Sequence, residues 1–118
     1  MLLKIYYYPK CDSCRKALKW LDSQSIHYTK IDISEKPPTR QELKKMLAYC
    51  DGELRRLFNT SGQLYRELKI KNKLPSLSTS EATDLLAGNG MLVKRPFLLL
   101  KDTGLVGFRE DEWRTALS

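Results

Sequence analysis

The sequence predicts one α/β domain over residues 1–118, in which a mixed four-stranded sheet combines a βαβ unit with a later ββα unit. Three observations carry this prediction. Runs of branched and aromatic residues, which favour strands, occur near both ends of the chain. Segments with the apolar spacing of helices accompany them. The stretch between the two units, about residues 39–88, shows only helical patterns and is predicted to be a helical insert.

The N-terminal unit begins with a predicted strand at residues 2–8, which Pro9 ends because proline cannot donate to a sheet ladder. A helix follows, with apolar residues one and two turns apart on one face: Cys14, Ala17, Leu18 and Leu21. A second strand is predicted at residues 26–33. A strand, a helix and a strand in this order imply a parallel pair.

The insert contains two capping boxes, which predict the start of its two longer helices. Thr39 with Glu42 forms the first, and Ser78 with Glu81 forms the second. The apolar face of the first helix predicts that Cys50 is buried. Residues 69–73 are predicted to be a solvated turn, and the glycines in 88–90 are predicted to end the last helix in left-handed conformations.

The C-terminal unit is predicted as a hairpin and a final helix. Strands at residues 97–100 and 105–108 flank a turn that ends in Gly104. Acidic residues from Glu110 onward suit the first turn of a helix, and Trp113 is predicted to pack that helix onto the sheet.

Cys11 and Cys14 form a Cys-x-x-Cys pair where the first strand gives way to the first helix. Cys11 lies at or just before the helix N-terminus, where unpaired N–H groups and the helix dipole favour negative charge. The thiolate is the reactive form of cysteine, so Cys11 is the predicted nucleophile. Cys14, one turn later, is within disulfide reach of it, which predicts a redox function for the pair.

Two other interpretations of this pair remain open. A zinc site needs four ligands, and the remaining candidates, including Cys50 and His27, lack ligand spacing, so no metal site is predicted. His27 is more simply a surface residue. The pair could also be two unreactive core cysteines, which suits Cys14 on the apolar stripe better than Cys11.

The composition limits the compartment and the partners. Three cysteines without a disulfide framework favour a reducing cytoplasm, and no secretory signal is expected. No run approaches the roughly 18 apolar residues of a membrane span, so no membrane contact is expected. The net charge of +7 fits a solvated basic surface, an oxyanion substrate or an acidic partner. No nucleic-acid-binding motif is present, so direct nucleic-acid recognition is not expected.

The order of elements, with the cysteine pair after the first strand and Pro96 before the third, predicts a thioredoxin-like fold. In that fold the proline follows a cis peptide bond and faces the active cysteine. The sequence further resembles the arsenate reductase/Spx family of thioredoxin-like proteins over nearly its whole length. The resemblance rests on four segments, residues 8–17, 59–68, 92–96 and 106–113.

The resemblance implies roles for five residues. Cys11 would be the nucleophile and Cys14 the resolving cysteine. Arg95 would hold the anion at the catalytic site, Arg109 would be a second substrate-binding arginine, and Pro96 would line the same site. Surface charge is the alternative explanation for both arginines. No cofactor is implied beyond an external thiol reductant, either glutathione with glutaredoxin or thioredoxin.

The sequence also departs from the arsenate enzymes at three places. Tyr7 and Tyr8 replace a His-Asn pair, Asn59 stands near the position of a third anion-binding arginine, and Cys14 replaces a small hydroxyl residue. These changes weaken an arsenate pocket and favour an intramolecular disulfide. The resemblance therefore implies a thiol–disulfide redox protein of unidentified substrate, or a Spx-like regulator that binds the RNA polymerase α subunit. Spx continues with a basic extension beyond the position of Ser118, which favours the first.

Overall fold

The computed structural model describes residues 3–117 and contains a mixed four-stranded sheet. In chain order the strands are β1 Leu3–Tyr7, β2 Tyr28–Asp32, β3 Phe97–Leu99 and β4 Gly104–Val106. Their spatial order is β2-β1-β3-β4; β1 and β2 run parallel, and the other two pairs are antiparallel. The α/β class, the parallel pair and the hairpin are therefore confirmed. Residues 1, 2 and 118 of the predicted domain, and so the start of the predicted first strand, lie outside the described residues.

Helices surround this sheet. Within residues 3–117 the α-helices are α1 Asp12–Ser23, α2 Arg40–Tyr49, α3 Gln63–Glu67, α4 Ile70–Lys73, α5 Thr79–Gly88 and α6 Glu110–Leu117. Short 3-10 helices lie at Leu54–Leu57, Leu74–Ser76 and Gly90–Leu92. The stretch from α2 to α5 is the helical insert that the sequence predicts. None of the helices in the described part of the chain is long and apolar enough to cross a membrane.

Side-chain alternation along β1 divides the core between the two faces of the sheet. Leu3 and Ile5 point to the face that α1 and α6 cover, where they pack with Trp20 and Trp113. The two indole rings meet edge to face, with centroids 6.4 Å apart. The Trp113 Nε1–H donates to the carbonyl oxygen of Gly107 at 3.0 Å. These contacts fix α1, which begins beside Cys11 and contains Cys14, to this face of the sheet.

The insert covers the opposite face, and Glu42 joins it to β1. The Tyr6 hydroxyl donates to Glu42 Oε1 at 2.6 Å, and Lys4 Nζ donates to Oε2 at 2.7 Å. Glu42 also completes the predicted capping box with Thr39. Burial alone would raise the pKa of Glu42, but the hydrogen bonds from Lys4 and Tyr6 lower it overall. Burial, together with the bond to Glu42, raises the pKa of Tyr6 to about 12.

The end of α5 differs from the prediction. Gly88 and Gly90 do not adopt left-handed conformations; in residues 3–117 the glycines with positive φ are Gly52 and Gly107. A Cβ atom on Gly90 would lie 1.8 Å from the carbonyl oxygen of Ile33. The close approach of two backbone segments therefore requires this glycine, and no periodic pattern records such a contact.

The prediction of a solvated turn at residues 69–73 is wrong in part. Ile70–Lys73 forms α4, because Ile70 is buried in the core of the insert with 1% of its surface exposed. The charged residues around it remain exposed. A single apolar residue among lysines does not repeat at helical spacing, so the sequence pattern does not predict a helix here.

Candidate redox site

Cys11 lies at the junction of β1 and α1. After β1 ends at Tyr7, a tight turn brings the Cys11 amide to the Tyr8 carbonyl oxygen at 3.0 Å. Cys11 is then the N-cap of α1, with φ −96° and ψ 119°, and its side chain makes no capping hydrogen bond. The half-buried thiol is not in a disulfide and lies at the positive end of the helix dipole. The predicted position of Cys11 is confirmed.

Cys14 occupies a different environment one turn along α1. It is fully buried, and the Tyr8 N–H donates to its sulfur at 3.4 Å. Burial raises the pKa of Cys14 to about 12, with further contributions in the same direction from Cys11. The Tyr8 N–H and the positive charge of Arg95 act in the opposite direction. Cys14 is therefore held as the neutral thiol beside Cys11.

Arg95 approaches the pair from the loop before β3. Its guanidinium carbon lies 5.1 Å from the centroid of the Tyr8 ring, and its Nη1 donates to the Met91 carbonyl oxygen at 3.3 Å. The Arg95–Pro96 peptide bond is cis, which confirms that prediction. The Pro96 carbonyl oxygen accepts a hydrogen bond from Gly107 N at 2.9 Å. The loop is thus held between the cysteine turn and the end of β4.

A cleft of about 660 Å³ opens next to the cysteine turn. Ser13, inside the Cys-x-x-Cys motif, lines it, as do Arg95 and the exposed Arg109. Arg109 Nε lies 3.8 Å from Glu112 Oε2. The two arginines that the resemblance implies for substrate binding therefore face one cavity beside the dithiol. Their role in binding stays a prediction.

Three further cations of this cleft were not predicted. Arg55 and Arg56, on the 3-10 helix Leu54–Leu57, line it together with Lys94. Asn59, near which the resemblance implies a third anion-binding arginine, donates its backbone N–H to the Leu92 carbonyl oxygen at 2.7 Å. The adjacent Arg55–Arg56 pair in the sequence is a usable indication of an anion-binding site. The cleft that the two side chains face, however, depends on how the insert folds.

The remaining cysteine and the histidine lie apart from this arrangement. Cys50, at the C-terminus of α2, has 2% of its surface exposed, and burial raises its pKa. It is a core residue, as predicted. His27 is exposed at the start of β2. Within residues 3–117 no cluster of three or more His, Cys, Asp or Glu side chains is arranged to hold a metal ion.

This sheet topology, the cis proline before β3 and the dithiol at the start of α1 define a thioredoxin-like dithiol protein. Within that class the chain belongs to the ArsC family, whose model matches residues 6–116. The resemblance found in the sequence is thereby confirmed.

The relatives include proteins of different named function. The uncharacterized protein YusI of Bacillus subtilis (strain 168) is 45% identical over 113 residues, which cover 96% of each chain. The global transcriptional regulator Spx of Streptococcus mutans is 31% identical, over 98% of this chain and 83% of Spx. The crystal structure of a possible arsenate reductase from Streptococcus mutans UA159 has a TM-score of 0.87 and 42% identity, covering 95% of this chain and 97% of that one. Family membership therefore leaves the substrate open.

Proposed function

We propose that this protein exchanges thiols and disulfides, with Cys11 as the nucleophile and Cys14 as the resolving cysteine. The unequal placement of the two sulfurs carries this proposal. Cys11 is half-exposed at a helix N-terminus, whereas Cys14 is fully buried with its pKa raised to about 12. Exchange begins with attack by a thiolate, so Cys11 reacts first while Cys14 keeps its proton.

The proposed reaction proceeds through a mixed disulfide. The Cys11 thiolate attacks one sulfur of a substrate disulfide and forms a bond to it, while the other substrate sulfur leaves as a thiolate. That thiolate takes up the proton of Cys14. Cys14 then attacks the Cys11 sulfur, forms the Cys11–Cys14 disulfide and releases the second substrate thiolate. The substrate gains two electrons, and the protein dithiol loses two.

The surroundings of Cys14 support this order of events. Burial and the neighbouring Cys11 both raise the pKa of Cys14 in the reduced protein. When Cys11 is bonded to substrate it carries no charge, so its contribution disappears. The Tyr8 N–H and Arg95, which lower the pKa of Cys14, remain in place. The Cys14 thiolate is therefore easier to form at the step that needs it.

An external thiol completes the cycle in this proposal. Thioredoxin, or glutathione with glutaredoxin, would reduce the Cys11–Cys14 disulfide, and no resident cofactor takes part. Such reductants act in the reducing cytoplasm, where free thiols persist. Arg95 and Arg109 would hold an anionic group of the substrate, because arginine forms paired charge-assisted hydrogen bonds with anionic oxygens.

A second candidate function is regulation by binding, without substrate turnover. The similarity to Spx, named as a global transcriptional regulator, favours it. In this case the Cys11–Cys14 disulfide would tune binding to the RNA polymerase α subunit. Gly52, which the resemblance aligns with a polymerase contact, is exposed after the end of α2 with φ +80°. A helix end also accounts for that glycine.

The test of the proposed function is a trapping experiment with Cys14→Ser and a small neutral disulfide such as hydroxyethyl disulfide. Mass spectrometry should find a stable adduct on Cys11 in this variant. The wild-type protein should instead give the Cys11–Cys14 disulfide. Cys50→Ser makes the same substitution at the cysteine outside the pair and should behave like the wild type. Cys11→Ser should form no adduct. An adduct on Cys50, or none at all, would contradict the assignment.

Turnover separates the two candidates. With thioredoxin reductase, thioredoxin and excess disulfide, a redox protein should consume many equivalents of reductant per molecule. A regulator should consume about one, and its affinity for the purified α subunit should change on oxidation.

A further inference from the structure

The cleft beside the redox pair carries more positive charge than the two expected arginines supply. Its cationic lining consists of Arg55, Arg56, Lys94, Arg95 and Arg109. Glu53 and Glu112 are the carboxylates of the lining, so five cations face two anions. Within residues 3–117 only Arg109 among these cations forms an ion pair, at 3.8 Å to Glu112. A cleft in which most of the grouped cations lack a carboxylate partner favours an anionic ligand.

The cleft has room for a ligand larger than an inorganic oxyanion. Its volume of about 660 Å³ falls within the range of about 300–1,000 Å³ in which pockets enclose drug-sized molecules. A second cleft of about 880 Å³ adjoins it and shares Glu53, Arg55 and Thr60 with it. The second cleft adds an apolar lining of Leu54, Tyr65, Leu74 and Pro75.

Together the two clefts form one longer groove, whose lining includes Ser13 of the cysteine motif, the shared Arg55 and the apolar side chains of the second cleft. A compact anion would occupy only the first part of it. An extended peptide advances about 3.3 Å per residue and can occupy both parts. Carboxylates on such a peptide match the guanidinium groups in charge and in paired hydrogen-bond geometry.

We propose that the redox pair reduces a disulfide whose cysteine lies within an acidic peptide segment of a partner protein. Carboxylates next to that cysteine would bind Arg55 and Arg56, and an apolar side chain beyond them would enter the second cleft. This inference rests on the proposed thiol–disulfide function and names the substrate of the same site.

The chemical step is the exchange already described, applied to this substrate. The Cys11 thiolate bonds to the cysteine sulfur of the acidic segment, and the former partner of that sulfur leaves as a thiolate. Cys14 then displaces the segment as a thiol and closes the Cys11–Cys14 disulfide. The substrate disulfide gains two electrons from the Cys11–Cys14 dithiol, and a dithiol reductant of the thioredoxin class then supplies two electrons that restore this dithiol.

The experiment compares synthetic peptides whose single cysteine is linked to uncharged 2-thiopyridine. One peptide carries Asp and Glu beside the cysteine and a leucine farther along, and a second carries Asn and Gln in place of the acids. A third keeps the acids and replaces the leucine with serine. Release of thiopyridone, followed by absorbance at low salt, should be about tenfold faster for the acidic peptide than for the neutral one. The serine peptide should be slower than the leucine peptide.

Charge-matched variants locate the effect. Arg55→Gln combined with Arg56→Gln should reduce the preference for the acidic peptide to about twofold or less. Lys44→Gln combined with Lys45→Gln removes the same charge from exposed positions of α2, outside both clefts, and should keep the preference. Urea unfolding of both variants checks that each remains folded.

The outcomes separate this inference from the proposed function. If Cys11 releases thiopyridone from all peptides at equal rates, the substrate assignment is overturned and the redox function stands. If Cys11 reacts with none, the proposed function fails as well. Glutathione disulfide serves as a further substrate in this comparison. If the rate at which Cys11 reacts with it depends on Arg55 and Arg56 as strongly as the rate with the acidic peptide, the ligand is a small diacid and the peptide assignment is wrong.

Discussion

Replacement of Glu42 by alanine should destabilise the fold by about 2–5 kcal/mol. Glu42 accepts hydrogen bonds from Tyr6 and Lys4 on β1 while it closes the capping box of α2. The variant would leave the hydroxyl of Tyr6, a residue with 0% of its surface exposed, without its partner. An unsatisfied buried group of this kind costs about 1–3 kcal/mol.

The other contributions to this loss are smaller. Loss of the capping interaction at Thr39 should cost about 1 kcal/mol. The ion pair with Lys4 adds at most about 1 kcal/mol, because the Lys4 side chain is 39% exposed and water screens the charge. Most of the expected effect therefore comes from the contact with Tyr6.

Urea unfolding, followed by the fluorescence of Trp20 and Trp113, measures this change. The chain offers a matched control in Glu81→Ala. Glu81 closes the capping box of α5 in the same way, but within residues 3–117 it forms no hydrogen bond or ion pair with the sheet, so its loss should cost clearly less. If the two variants lose the same stability, the argued link between β1 and the insert is wrong.

The same carboxylate predicts a pH dependence. Because the pKa of Glu42 is lowered in the fold, its charged contacts contribute fully above the unfolded pKa of about 4.3. The contribution is lost as the pH falls through the lower folded pKa. The stability difference between wild type and Glu42→Gln should therefore be complete at neutral pH and shrink below about pH 4.3.

Three further predictions concern packing, oxidation and substrate. Gly90→Ala should cost about 3 kcal/mol or more in urea unfolding, because its Cβ would lie 1.8 Å from the Ile33 carbonyl oxygen. Gly88→Ala, with no atom within 4 Å of the added carbon, should be neutral or stabilising, and a comparable loss there would refute the steric argument. Mild oxidant should remove two of the three thiols and leave Cys50 reduced, and peptide mapping that finds Cys50 in a disulfide would contradict the pairing. Arsenate reduction in a coupled glutathione–glutaredoxin assay should be slow or absent, because the resemblance implies that a third anion-binding arginine is missing near Asn59, and one such contact is worth about ten- to a hundredfold in affinity. Turnover equal to that of an arsenate enzyme would show this expectation to be wrong.

Local patterns in the sequence were sufficient for most of the architecture and for the nucleophile. A strand that ends before Pro9 and a helix that begins after Cys11 need only neighbouring residues to be recognised. The burial of Cys14 and Cys50 follows from apolar spacing on helices. The order of the elements then predicted a thioredoxin-like fold, and that fold added the cis peptide bond at Pro96, which no local pattern predicts.

Tertiary structure decided the features that depend on segments far apart in the chain. Lys4 and Glu42 are 38 positions apart, and only the packing of the insert on β1 brings them together. The closeness of Gly90 to a backbone oxygen has the same origin. Arg55 joins Arg95 in one cleft because the insert folds its 3-10 helix toward the loop before β3. Sequence periodicity reports which face of an element is buried, but the partner across that face depends on how the elements pack, and the charge of this cleft arises from that packing.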